Sequence, residues 1–226
     1  MAHKIISIAE VLLVIASLAI AIIWIKNPQG DYEPVLVFIG IVLVALDIIR
    51  RFLRSLQLKV FLSVGATYTQ QQEIYVKAFE RFLKDNNCRR LVVGRDCPSS
   101  RQPVLQVRDL MRKADAVIVL AFTRYVISSG VQKPGANHGN HKEVNIQNEK
   151  HPTVWNQIEA SMAFGLRRPL LVIIENGLKQ EAMLKDRLEF RAINTDLDAE
   201  YFESEEFRAV FSDFSKIVRR RSWLKL

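Results

Sequence analysis

Asp115-Ala116-Val117-Ile118-Val119-Leu120-Ala121-Phe122-Thr123-Arg124 decides the fold, read with two stretches downstream. Its apolar run has strand length and ends in polar residues, the mark of a strand covered on both faces. Trp155-Asn156-Gln157-Ile158-Glu159-Ala160-Ser161-Met162-Ala163 follows a polar stretch and has helical spacing. Leu170-Leu171-Val172-Ile173-Ile174 is a second buried strand. Strand, helix, strand is a βαβ unit, which requires a parallel sheet with a right-handed crossover. Ligands of open parallel sheets bind beyond the carboxyl ends of the strands, an edge that Arg124, Glu159 and Glu175 all reach.

Working outward, Leu58–Val64 reads as a first strand ending at Gly65, and Thr69 as the cap of a helix running to about Asn86. The apolar positions of that helix are Ile74, Ala78, Phe79, Phe82 and Leu83. Leu91-Val92-Val93 reads as a short strand closed by Gly94-Arg95-Asp96-Cys97-Pro98. Gln102–Ala114 reads as a helix with Val104, Leu105, Leu110 and Met111 inward. Downstream, Leu178–Leu188 reads as a helix and Glu189–Ile193 as a last strand. Ser204 caps a closing helix, with Glu205 and Glu206 suited to the dipole of its first turn. Phe207, Val210, Phe211, Phe214, Ile217 and Val218 form its apolar face, and Arg219-Arg220-Arg221 with Trp223 make a basic, aromatic tail. The sum is an α/β domain with a doubly wound, mostly parallel sheet. Residues 128–152, rich in Gly, Asn, His, Lys and Gln, read as a flexible loop or lid.

The chain has 226 residues, is 49% hydrophobic with 25% charged residues, and carries a net charge of +8. The apolar excess lies in residues 1–54, read as a transmembrane helical hairpin with spans at about 5–25 and 35–53. The loop between them carries Asp31 and Glu33, while Arg50, Arg51, Arg54 and Lys59 follow the second span. The positive-inside rule places both termini in the cytoplasm of a two-span inner-membrane protein, with residues 55–226 as the cytoplasmic domain. Trp24 and Tyr32 suit the outer interfacial belt. A cleaved signal peptide and a buried soluble hairpin are the alternatives, disfavoured by span length and charge asymmetry. Glu10 and Asp47 read as snorkelling side chains, with a polar seam in an oligomer as the sharper alternative.

Several function classes are disfavoured. There is no Walker lysine motif, no G-x-G-x-x-G and no defensible Ser-His-Asp set. His138-Gly139-Asn140-His141 lacks a cysteine partner and a helical face, so it reads as solvated loop and no metal is expected. Cys88 and Cys97 lack zinc spacing and read as reduced thiols. Basic charge beside membrane spans needs no specific nucleic acid to account for it.

Lys59-Val60-Phe61-Leu62-Ser63 and Asp115–Leu120 resemble the first and central strands of TIR domains. The Trp155–Ala163 run, then Gly165 and Arg168-Pro169-Leu170-Leu171-Val172-Ile173, is similar to the helix-to-strand segment of nucleoside 2-deoxyribosyltransferases and the TIR-like group. The resemblance implies a TIR-like or flavodoxin-like fold with a helix-borne glutamate, Glu159, facing a nucleotide pocket. There it would attack or stabilise the anomeric carbon as an N-glycosidic bond breaks. Ser63, Arg95, Arg124, Trp155, Asn156 and Glu175 are the accompanying ligand-binding candidates. Arg95 and Arg124 suit phosphate. Trp155 lies one turn before Glu159 and is read as core in preference to a base-stacking residue. For Glu159 itself, a surface carboxylate paired with a cation remains the alternative. No second catalytic carboxylate is placed, Asp96 and Glu175 being candidates only.

A short membrane hairpin fused to such a domain looks like the effectors of prokaryotic antiphage defence. It implies a membrane-anchored, nucleotide-responsive signalling effector, oligomeric, whose ligand controls the hairpin and disrupts the membrane. The alternatives are a tethered NAD or nucleoside N-glycosidase and a TIR-like scaffold. No cofactor is required by these readings; a nucleotide or NAD is the expected ligand, and the bilayer the expected partner.

Overall fold

The computed structural model describes residues 2–26, 33–55, 57–91, 93, 102–185 and 191–223. The chain divides into two compact units, Met1–Gln57 and Leu58–Leu226. The first holds helices α1 (Ala2–Lys26) and α2 (Glu33–Ser55), which pack on each other. Their side chains are described over 11–26 and 34–49, and large apolar groups such as Leu12, Ile15, Leu18, Phe38 and Ile41 are exposed there. Among the described residues no helix is long and apolar enough to cross a membrane. Tyr32 and the rest of the 27–32 connection, and the Glu10 side chain, lie outside the described residues.

In the second unit, parallel strands β1 (Leu58–Val64), β2 (Cys88–Leu91) and β3 (Ala116–Ala121) form a sheet with two later strands. Those are β6 (Leu170–Glu175) and β7 (Arg191–Thr195), and the order across the sheet is β2-β1-β3-β6-β7. Every neighbouring pair is parallel. The chain moves outward from β1 to β2, then returns past β1 to β3 and continues the other way. The order reverses between β1 and β3, which makes that gap the topological switch point.

Strand side chains alternate between two cores, as a period of two demands. Val60, Leu62, Ile118, Leu120, Leu171 and Ile173 meet helix α3 (Gln70–Asp85) and helix α6 (Glu205–Trp223). Phe61, Val117, Val119, Val172 and Ile174 meet helix α4 (Pro103–Lys113) and helix α5 (Val154–Gly165). Helices therefore cover both faces, and the α/β reading with a mostly parallel sheet holds. Thr69 caps α3, its hydroxyl accepting from Gln72 N at 3.1 Å, and Ser204 accepts from Phe207 N at 3.1 Å to start α6.

Several expectations are corrected. Residues 128–152 are not a flexible loop: strands β4 (Tyr125–Gln132) and β5 (Val144–His151) pair antiparallel as a separate ribbon. Its ladder is a backbone property, so polar side chains do not prevent it. Strand β2 starts and ends earlier than expected, and Val92 lies outside the described residues. The expected helix at Leu178–Leu188 is a single 3₁₀ turn, Ala182–Leu184, with 186–190 outside the described residues. β7 lies later than the strand expected at Glu189–Ile193. Ile74, Val104 and Ile217 are exposed, and Tyr75, Val76 and Val107 take the inward places. Cys88 is buried, its thiol donating to Asn86 O at 3.5 Å, while Cys97 lies outside the described residues.

Candidate functional site

The switch point holds a cleft of about 230 Å³. Val64, Gly65, Ala66 and Tyr68 after β1, Phe122, Thr123 and Arg124 after β3, and Thr153, Trp155, Asn156 and Glu159 on α5 line it. Three segments far apart in sequence thus meet at the carboxyl edge of the sheet.

Helix α5 sets the geometry. Thr153 caps it, the hydroxyl accepting from Trp155 N at 3.2 Å. The positions facing the sheet are Asn156, Ala160 and Ala163. The two alanines have no bulk beyond Cβ, so the helix approaches the strands closely and the Asn156 amide reaches β1 and β3. Its Nδ2 donates to Ser63 Oγ and to Leu120 O, both at 3.3 Å. Leu120 O only accepts, so the amide nitrogen is fixed there. Its partner Oδ1, on a residue 1% exposed, has no hydrogen bond, and neither does the buried Thr123 hydroxyl. Unsatisfied buried polar atoms are costly, and here two of them belong to residues lining one cleft.

Glu159 stands one turn from Asn156 on the same side of the helix. Burial raises the Glu159 pKa above the ordinary carboxylate range, against the lowering effect of Ser63. Ser63 is itself buried, below the cleft.

Arg124 stacks its guanidinium 4.2 Å above the Tyr68 ring. Its amide donates to His151 O at 2.8 Å, so the root of the β4–β5 ribbon lies against the same loop. The Tyr125 and His151 rings stack at 5.1 Å, and Glu149 accepts from Lys179 Nζ at 2.8 Å beside His151. Lys179 first, and His151 after it, hold the Glu149 carboxyl below its usual range.

Of the expected residues, Glu159, Arg124, Trp155 and Asn156 line the cleft and Ser63 supports it from beneath. Glu175 does not line it. Its Oε2 accepts from Thr123 N at 2.7 Å and its Oε1 lies 4.0 Å from Lys150 Nζ, so it shapes the loop that carries Arg124. Arg95 and Asp96 lie outside the described residues. The core reading of Trp155 is corrected: it is 41% exposed at the cleft, and Val154 and Ile158 are exposed beside it. The sheet takes the small face of α5, leaving the large apolar residues outward. Tyr68 and Thr153 were not anticipated; their place just after a strand and just before a helix on the carboxyl edge is the signal that finds them. Among the described residues no group of three or more His, Cys, Asp or Glu is placed to hold a metal ion.

Comparison with known proteins returns no matching family model and no matching curated relative.

Proposed function

We propose that the cleft binds a nucleotide-type ligand, in a TIR-like domain that serves a membrane-anchored signalling effector of the defence type. The observation that carries the ligand reading is the pair of unsatisfied buried atoms, Asn156 Oδ1 and Thr123 Oγ1, on the lining of a cleft that also presents Glu159, Arg124 and Trp155. Sugar hydroxyls suit the amide oxygen and the carboxylate, an aromatic base suits the exposed indole, and a phosphate suits the guanidinium. The membrane part rests on the two helices of α1 and α2 and on the apolar runs 5–25 and 35–53, whose described side chains are largely exposed. In this reading both termini are cytoplasmic, the chain self-associates, and ligand binding alters the hairpin so that the membrane leaks.

A second reading, a tethered NAD or nucleoside N-glycosidase, is favoured by one feature: the Glu159 carboxyl on the cleft wall, its pKa raised by burial. Ionised beside an anomeric carbon, that group would stabilise the positive charge that develops as the N-glycosidic bond breaks. One experiment separates the two. The full chain in detergent is incubated with a panel of nucleotides, and both melting temperature and small-molecule products are read. A ligand at about 100 times its Kd adds about 2.7 kcal/mol of stability. Stabilisation without products supports the sensor. Products that disappear in Glu159→Gln make it an enzyme, and a flat panel in both readouts sinks the nucleotide site and leaves a scaffold.

A further inference from the structure

The two edges of the main sheet differ in charge. On the carboxyl edge the signs are mixed: Glu159, Glu175, Glu181, Asp196 and Asp198 stand with Arg124, Lys150 and Lys179, the two lysines beside Glu175 and Glu181. On the amino edge, where α3, α4, α5 and α6 end, the exposed charges are mainly basic: Arg112 and Lys113 from α4, Arg167 after α5, and Lys216, Arg219 and Arg221 from α6. They form one surface. Arg168 Nη2 donates to Arg112 O, and Arg221 Nη1 donates to Arg167 O at 3.4 Å. Lys216 and Arg219 share a hollow of about 250 Å³ with Asn86, Ser212 and Ser215. Asn86 adjoins Asn87, whose carbonyl accepts from Leu58 N at 3.3 Å, at the first residue of the sheet.

Acidic residues on this edge are few among the described residues. Asp115 accepts from Lys59 N at 2.8 Å, leaving Asp85 and Asp213. Cations in a last helical turn offset the helix dipole, and that accounts for a residue or two per helix. It does not account for Lys216 together with Arg219, Arg220 and Arg221 on α6 alone.

We propose that this amino edge is a lipid-docking face that seats on an anionic bilayer surface, with headgroup phosphates entering the Lys216–Arg219 hollow. It rests on the membrane-anchor reading above and adds to it an orientation. Two observations fit a lipid surface, and the second favours it over other polyanions. The charge is complementary to an acidic leaflet. The covalent chain from the apolar runs also enters the sheet on this edge, at Leu58. Docked so, the domain turns its carboxyl edge and the cleft toward the cytosol.

The test uses the full chain and two vesicle types, phosphatidylcholine alone and phosphatidylcholine with phosphatidylglycerol. Lysines are acylated briefly and their rates read by mass spectrometry. Lys113 and Lys216 are expected to react severalfold more slowly on the anionic vesicles, while Lys142 at the ribbon reacts equally on both. Arg219→Glu with Arg220→Glu is expected to abolish the slowing and leave co-flotation intact. Equal rates on both vesicle types, with the chain co-floating in each, overturn the docking face and leave the anchor standing. Co-flotation with anionic vesicles alone, with Lys113 and Lys216 slowed, upholds the face and removes the anchor. No co-flotation with either overturns both. Slowing by a single-stranded oligonucleotide but not by anionic lipid assigns the face to nucleic acid and overturns the proposal.

Discussion

The two faces of the main sheet are packed by different means. Against α3 and α6 the filling is a cluster of rings: Tyr75 and Phe202 centroids lie 4.5 Å apart, Phe79 and Phe202 4.9 Å, Phe82 and Phe211 4.8 Å, and Phe202 and Phe207 5.0 Å. Against α4 and α5 the filling is mainly aliphatic, with Phe61 from β1 among it, and α5 meets the strands through Ala160 and Ala163. Rings make a thick, strongly stabilised layer. Alanines make a thin one, which lets a polar residue of α5 touch β1 and β3. The first face holds the domain together; the second holds a site.

Removing a ring tests that division with the largest effect. Phe79→Ala is expected to cost about 3–5 kcal/mol, as large-to-small changes at buried aromatics do. Near-UV circular dichroism of the melt reads the loss. The ligand-dependent rise in melting temperature, measured on the remaining folded protein, is expected to survive. Its loss would break the division.

Ala160→Leu tests the other face. Overpacking costs about 1–3 kcal/mol, and pushing α5 outward separates Asn156 from Ser63. The variant is expected to fold less stably and to lose its nucleotide-induced stabilisation altogether. Retained stabilisation would mean that close approach of α5 does not matter. Thr69→Ala, on the ring side, removes one helix cap and is expected to cost about 1 kcal/mol without touching the ligand response.

The smallest change is the one with a sign. A carboxyl whose pKa is raised on folding binds its proton more tightly in the native state. Its contribution is most favourable below the unfolded value of about 4.3, and stability declines as pH rises through the folded pKa. Glu159 is raised by burial, so Glu159→Gln is expected to melt at or above the parent at neutral pH, with the difference closing toward pH 4. Melting curves across that range decide it. A parent that outlasts the Gln variant at neutral pH places Glu159 in an ion pair instead.

What sequence conveys follows the same contrast. β3 and β6 were legible because strands covered on both faces read as unbroken apolar runs, and β1 because Val60-Phe61-Leu62 stay apolar between Lys59 and Ser63. Thr69 and Ser204 were legible because capping chemistry is local. The β4–β5 ribbon was not: Ser128, Ser129, Asn145 and Gln147 bury no alternating face, so a backbone ladder left no periodic trace. Trp155 was misread for a related reason. Hydrophobicity marks which residues prefer the interior, but the sheet here selects the smallest side of the helix, and alanines carry little weight in a pattern. Arg124 and Glu159 were reachable from the carboxyl-edge rule, which also named Glu175, whereas Asn156 came with the resemblance and its bond to Ser63 needed coordinates.

Cys88 has a practical consequence. Its thiol sits under α6, and burial lifts its pKa to about 11 despite nearby Arg219. Thiolate is the reactive form, so at neutral pH an alkylating reagent meets an almost inert sulfur until the helix lifts away. With Cys97 replaced by serine, the labelling rate of this one atom becomes a stopwatch for how often the closing helix opens.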